Sequence, residues 1–167
     1  MENACADISM TSDQVEIVAI SPGSAATAHE LFREYAAELG IDLSFQDFAS
    51  ELATFPGAYG EARGALLLAR DGDRAIGCVA LREHDQQTAE LKRLYVRPEA
   101  RGRNVGRQLS NAALAAARER GYRYAVLDTL PSMVAAQRLY EAMGFADCAP
   151  STYNPLPGAR FMRLELT

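Results

Sequence analysis

Leu91-Lys92-Arg93-Leu94-Tyr95-Val96-Arg97-Pro98-Glu99-Ala100-Arg101-Gly102-Arg103-Asn104-Val105-Gly106-Arg107 runs from a strand through a loop into the start of a helix. Apolar strand formers precede Pro98, which ends the strand, and the stripe Val105, Leu109, Ala112, Ala113 and Ala116 then recurs at helical spacing. A helix N-terminus presents unpaired amide hydrogens and a partial positive charge, so a loop feeding one is a natural seat for a phosphate. Gly102 and Gly106 let the backbone approach a ligand closely, and Asn104 tolerates a left-handed conformation. Arg101, Arg103 and Arg107 can add charge-assisted hydrogen bonds to the same anion. The ending Gly106-Arg107 excludes a nucleotide triphosphate loop, which closes in Gly-Lys-Ser or Gly-Lys-Thr, and two glycines four residues apart do not make the dinucleotide Gly-x-Gly-x-x-Gly.

Charge singles out the same stretch. Residues 92–107 hold six basic side chains against Glu99, a net of +5, whereas the rest of the chain holds eleven basic and twenty-one acidic side chains, a net of −10. A cationic island on an acidic body suits a compact polyanion, although a solvated basic loop would carry the same charges. With −5 overall, a protein that coats nucleic acid or anionic membrane is not expected.

On either side of the loop the pattern predicts a mixed α/β domain. Strands are expected at Val15–Ile20, Ala65–Arg70, Arg74–Leu81, Glu90–Val96, Tyr124–Asp128 and Phe161–Leu166. Helices are expected at Ala25–Leu39, after Ser44 with Ser44 and Asp47 as an N-cap pair, at 105–120, and at Val134–Met143. Asp71-Gly72-Asp73 reads as a hairpin turn, and helix 105–120 as a right-handed crossover joining two parallel strands, 90–96 and 124–128. Residues 1–13 are polar and aperiodic, a flexible tail ahead of a single domain over 14–167.

No apolar run approaches the ~20 residues of a membrane span. The start lacks a signal sequence, and Cys5, Cys78 and Cys148 suit neither a disulfide framework nor a zinc site, so a cytoplasmic protein is expected. His29-Glu30 begins like a zinc-protease helix, but Arg33 stands where the second histidine belongs, and no metal is expected.

In its full context, Leu91 to Gly106 resembles the cofactor segment of the GCN5-related N-acetyltransferases (GNAT), whose pattern is Gln or Arg, two residues, Gly, one residue, then Gly or Ala. Arg101 and Gly106 match its ends, and Asn104 replaces its central glycine. Val134 to Phe145, with Leu139-Tyr140 and Gly144-Phe145, is similar to the family's last helix, and Met133 stands where the family often has a cofactor-binding asparagine. The resemblance spans roughly 15–166. It implies the GNAT fold, a mixed and mostly antiparallel sheet with splayed central parallel strands flanked by helices. It also implies acetyl transfer from acetyl-CoA to an amine, with the pyrophosphate on Arg101, Gly102, Arg103, Asn104, Val105, Gly106 and Arg107. The pantetheine arm would pair with the main chain of Leu94, Tyr95 and Val96.

The chemistry needs a base for the attacking amine and a proton donor for the departing thiolate. Glu90 is the candidate base, since strand alternation would put it on the face of Leu94 and Val96, where a solvated or salt-bridged glutamate is the alternative. Tyr140 is the candidate acid, on the stripe Ala136, Leu139, Tyr140, Met143, where a plain core tyrosine would fit as well. Cys78 reads as a small core residue. By resemblance the acceptor enters between 38–55 and 151–158, near Phe45, Phe55, Tyr59, Tyr153, Glu38, Asp42, Asp47 and Glu51, which suggests a small amine or amino-acid-like acceptor. A silent acyl-CoA sensor, acetylation of a protein N-terminus or lysine, and nucleic-acid recognition are the competing functions. A homodimer is the family's common state.

Overall fold

The computed structural model describes residues 14–167, so the expected tail and Cys5 lie outside the described residues. Seven strands form one sheet in the order β1-β2-β3-β4-β5-β7-β6, from β1 (Val15–Ala19), β2 (Ala65–Asp71), β3 (Arg74–Glu83), β4 (Thr88–Val96), β5 (Tyr124–Thr129), β6 (Ala146–Asp147) and β7 (Arg160–Glu165). Every neighbouring pair is antiparallel except β4 and β5, which are joined by the expected crossover helix α3 (Val105–Glu119). This is the GNAT fold that the sequence resemblance implied.

Two apolar clusters sandwich the sheet. On one face Leu91, Leu109, Ala113, Leu114, Leu127 and Met162 pack with α3 and with Tyr140 of α4 (Val134–Ala142). On the other, Ala28, Leu31 and Phe32 of α1 (Ala25–Leu39) pack on Leu66, Leu68, Cys78, Ala80 and Tyr95. The apolar spacing in α1 is what makes it a helix in water, and Gly40, at φ 62° with its N–H on the Ala36 carbonyl, ends it as anticipated.

The expected second helix is shorter than its pattern. Ser44–Gln46 is a 3-10 turn, and α2 (Phe48–Ala53) begins only after Asp47, which sits in the left-handed region at φ 54° with no side-chain cap. Asp42 accepts the Ser44 N–H at 2.8 Å, a local bond that competes with helix initiation at Ser44.

The parallel pair holds for only three rungs, Thr88↔Tyr124 to Glu90↔Val126, although both strands continue. Its cause lies on the other edge of β4. Between the rungs Cys78↔Tyr95 and Ala80↔Lys92, Val79 alone faces both Arg93 and Leu94, and Arg93 takes φ 59°. Such a bulge bends its strand and increases its twist, which carries the end of β4 away from β5 and opens the sheet.

Gly77 lies against this bend: a Cβ there would sit 2.6 Å from the Tyr95 carbonyl oxygen and 3.1 Å from Leu109 Cδ1. Gly77→Ala is expected to cost about 1–3 kcal/mol in urea unfolding, the usual penalty of overpacking. A midpoint equal to that of the unmodified protein would show that the strands can move apart freely.

Candidate active site

The loop entering α3 forms as the sequence suggests. Pro98–Ala100 make a 3-10 turn, Gly102 and Asn104 take left-handed conformations at φ 81° and 65°, and Asn104 caps α3 without a side-chain hydrogen bond. The main-chain N–H groups of Gly102, Asn104, Val105, Gly106 and Arg107 find no acceptor among the described residues. They lie at the positive end of a fifteen-residue helix, an arrangement whose electrostatics favour an anion.

The arginines are less free than their formal charge suggests. Arg97 makes a bidentate pair with Glu34, Nε to Oε2 at 3.0 Å and Nη2 to Oε1 at 2.7 Å, and this pair holds the Glu34 carboxyl below its usual pKa. Arg101 binds both oxygens of Glu38 at 2.6 and 2.7 Å and gives its Nε–H to the Val96 carbonyl. Arg103 pairs with Asp71 at 2.9 Å. Of the three arginines assigned to the phosphate, only Arg107 has no ion pair among the described residues. Arg97, Arg101 and Arg103 are thus balanced by carboxylates from α1 and β2, and the loop amides with Arg107 are left to meet a ligand.

Where β4 and β5 part, a cleft passes through the sheet. Leu91, Lys92, Arg93, Leu94, Asp128, Met133 and Tyr140 line it, with Tyr35 and Gln46 at its far side. Arg97 donates its N–H to Ile76 of β3, so by alternation the Tyr95 main chain also turns to β3, while that of Leu94 and Val96 is directed at the gap. Of the three residues expected beside a pantetheine arm, Leu94 and Val96 have their main chain on the side of the gap, where the Val96 carbonyl accepts from Arg101 Nε. Tyr95 instead packs its ring 6.5 Å from that of Tyr35, and its hydroxyl is pushed up to about 12 by burial and by Glu34 and Glu38. Met133 lines the cleft at the position where the family's asparagine is missing.

Tyr140 is buried against Phe145, their centroids 5.7 Å apart, and its hydroxyl has no hydrogen-bond partner among the described residues. Burial, with Tyr35 and Asp128 nearby, raises its pKa well above that of a free tyrosine, so it keeps its proton.

Glu90 differs from expectation. The bulge breaks the alternation, so Leu91, Leu94 and Val96 share the α3 face, whereas Glu90 turns to the α1 face. There it is 2% exposed, bound by Arg82 Nε at 2.8 Å, with Lys92 Nζ 3.8 Å from its other oxygen. Glu90 does not line the cleft, and the carboxylate that does is Asp128 of β5. Asn154 Nδ2 donates to Asp128 Oδ2 at 2.8 Å and leaves Oδ1 without a described partner. Sequence reading missed both residues. The signal for Asp128 was the alternation of strand 124–128, with Ala125 and Leu127 on the α3 face and Asp128 opposite.

On the α1 side the cleft adjoins a recess with an apolar wall of Leu39, Ile41, Leu43, Phe45, Leu130 and Met133 and a polar side of Gln46, Asp128, Thr129 and Asn154. Of the residues expected around an acceptor, Phe45 is there. The others are engaged elsewhere or lie outside: Phe55 packs edge-on to Phe32, Glu38 holds Arg101, Tyr59 donates to Glu51, and Tyr153 is 75% exposed. Asp42 binds its own turn. Behind the recess Arg93, its side chain 1% exposed, gives Nε–H to Glu51 at 3.0 Å and Nη1–H to Gln46 at 2.7 Å. Cys78 is fully buried, its thiol 3.4 Å from the Arg93 carbonyl, and burial raises its pKa, consistent with a packing role. Among the described residues no group of three His, Cys, Asp or Glu is placed to hold a metal, and no helix is long and apolar enough to cross a membrane.

Fold, phosphate loop and splayed strands together define a GNAT acetyltransferase, and residues 26–145 match the sequence profile of the acetyltransferase (GNAT) family. The chain belongs to that family and is an acyltransferase. An uncharacterized N-acetyltransferase of Schizosaccharomyces pombe is 42% identical over 139 residues, 82% of this chain and 85% of that protein. Human N-acetylaspartate synthetase is 37% identical over 89 residues, 53% of this chain and 29% of the synthetase. The structure of yncA from Salmonella typhimurium, with its cofactor acetyl-CoA, has the same fold: TM-score 0.69 at 19% identity over 92% of this chain and 95% of that one.

Proposed function

We propose that the protein transfers an acetyl group from acetyl-CoA to the primary amine of a small acceptor, by direct attack in a ternary complex. The observation that carries this is the opening between β4 and β5, which has unpaired amides at one end and a protonated tyrosine on its wall. The residues fit the cofactor: the amides of Gly102, Asn104, Val105, Gly106 and Arg107 would hold the diphosphate, with the guanidiniums of Arg107, Arg101 and Arg103 around it. The main chain of Leu94 and Val96 would pair with the pantetheine arm as an added strand does.

Bound acetyl-CoA supplies an acetyl group activated as a thioester. Asp128 Oδ1 accepts a proton from the attacking amine, and Asn154 fixes the carboxylate by occupying Oδ2. Tyr140 donates its proton to the departing sulfur. One N–H and one C–S bond break while one C–N and one S–H bond form, and exchange with water restores Asp128 and Tyr140. The enclosed recess, and the N-acetylated amino acid in the name of the synthetase relative, both support a small acceptor over a protein surface. We place the reaction in the cytoplasm, with no role for nucleic acid or membrane, and propose a homodimer as the working state.

Free-thiol release from acetyl-CoA, measured across a panel of amines, amino acids and peptides, tests the reading. Release that depends on a small primary amine is expected. Tight coenzyme binding with no release across the panel would instead make the chain an acyl-CoA sensor. Arg107→Glu is expected to weaken coenzyme A binding about tenfold or more in calorimetry, the worth of a charge-assisted hydrogen bond. Thermal stability should be unchanged, since Arg107 carries no ion pair among the described residues.

A further inference from the structure

We infer that the acceptor is a free α-amino acid with an apolar side chain, its carboxylate seated on Lys92 and its amine facing Asp128, an inference that rests on the acyl-transfer reading of the cleft. Lys92 and Asp128 come from opposite lips of the gap and line the same cavity. The Lys92 side chain is 6% exposed, yet its ammonium donates no hydrogen bond among the described residues. Its nearest counter-charge, Glu90 Oε1, is 3.8 Å away, and the other Glu90 oxygen is spent on Arg82. An ammonium that is removed from water and left with open donors is costly unless something completes its shell.

Arg93 is held by Glu51 and Gln46 through Nε and Nη1, while its buried Nη2, 2.9 Å from Glu51, makes no hydrogen bond among the described residues and adds a second cation on the β4 lip. Asp128 has one oxygen tied by Asn154 and one open. The cavity therefore presents cationic groups on the β4 lip and one open carboxylate oxygen on the β5 lip, the complement of a zwitterion. A polyamine would bring a second cation against Lys92 and Arg93, and neither a protein lysine nor a protein N-terminus has an α-carboxylate to give. The acceptor's side chain then has the recess whose apolar wall is Leu39, Ile41, Leu43, Phe45 and Leu130, and no Lys or Arg lines that recess to balance a second carboxylate taken out of water. Burial pulls the Lys92 ammonium toward its neutral form and Glu90 opposes this, so an arriving carboxylate would reinforce the charged state.

The test compares L-leucine, L-leucinamide and L-aspartate by two readouts. Calorimetry on the protein saturated with coenzyme A is expected to show L-leucine binding about tenfold or more tighter than L-leucinamide, the value of the charge-assisted contact. Thiol release from acetyl-CoA should show the same preference in KM, with L-aspartate a poorer substrate than L-leucine. Lys92→Met should bring leucine and leucinamide within about threefold of each other, and Lys92→Arg should keep most of the discrimination. Equal binding of leucine and leucinamide by the unmodified protein, or a preference for L-aspartate, would overturn the inference and leave acyl transfer standing. Absence of thiol release with every amine tried would overturn the transfer reading itself.

Discussion

Replacing Tyr140 by Phe is expected to lower kcat about 100-fold or more while leaving coenzyme A affinity within about twofold, the effect of removing a general acid and little else. The ring stays: Tyr140 packs against Phe145, and its hydroxyl makes no hydrogen bond among the described residues, so Phe leaves no donor or acceptor stranded. What goes is one proton, held on the phenol by burial, at the wall of the cleft. Steady-state rates across an amine series separate two accounts. Loss should be greatest where sulfur departure limits the rate. Undiminished kcat would remove Tyr140 from the reaction and return it to the core, the alternative that its place on an apolar stripe always allowed.

The second large effect is expected at Glu51. Glu51→Ala should lower the free energy of unfolding by about 3–5 kcal/mol, the cost of leaving one partner of a buried ion pair alone. Arg93 would then keep its hydrogen bond to Gln46, and Tyr59 would lose its acceptor. Function is tied to the same pair. Arg93 is the bulge residue at φ 59°, and its guanidinium clasps the segment of Gln46 and Glu51, so the ion pair pins the bend that parts β4 from β5. The paired replacement Arg93→Met with Glu51→Leu should recover much of the stability, because apolar side chains of similar volume need no desolvation. Urea unfolding of the three variants decides. A loss below about 1 kcal/mol for Glu51→Ala would mean the pair is screened like a surface bridge.

Much of the fold was legible because it rests on local rules. Helical spacing in 25–39 and 105–119, the turn at Asp71-Gly72-Asp73, and a long crossover between two strands all declare themselves within short windows. The loop into α3 was legible for the same reason, since glycine, asparagine and a helix start are adjacent in the chain. The bulge was not. Arg93 occupies a conformation that favours glycine, and what holds it there is a carboxylate 42 residues away. Glu90 was misplaced in consequence, because one extra residue turns every later side chain to the opposite face. The charge island was misjudged for a related reason: Glu34 and Glu38, which neutralise Arg97 and Arg101, lie 63 residues upstream, and sequence proximity shows like charges without their distant partners. Asp128 and Asn154 likewise meet across 26 residues.

In the proposed reaction the gap between β4 and β5, with the amides that open α3, receives a thioester-bearing coenzyme. Calorimetric titration of the protein with coenzyme A and with acetyl-CoA is the deciding measurement. Saturable heat at one ligand per chain is expected for both, weakened by Arg107→Glu. No heat with either ligand at any concentration reached, or binding untouched by that substitution, would contradict it.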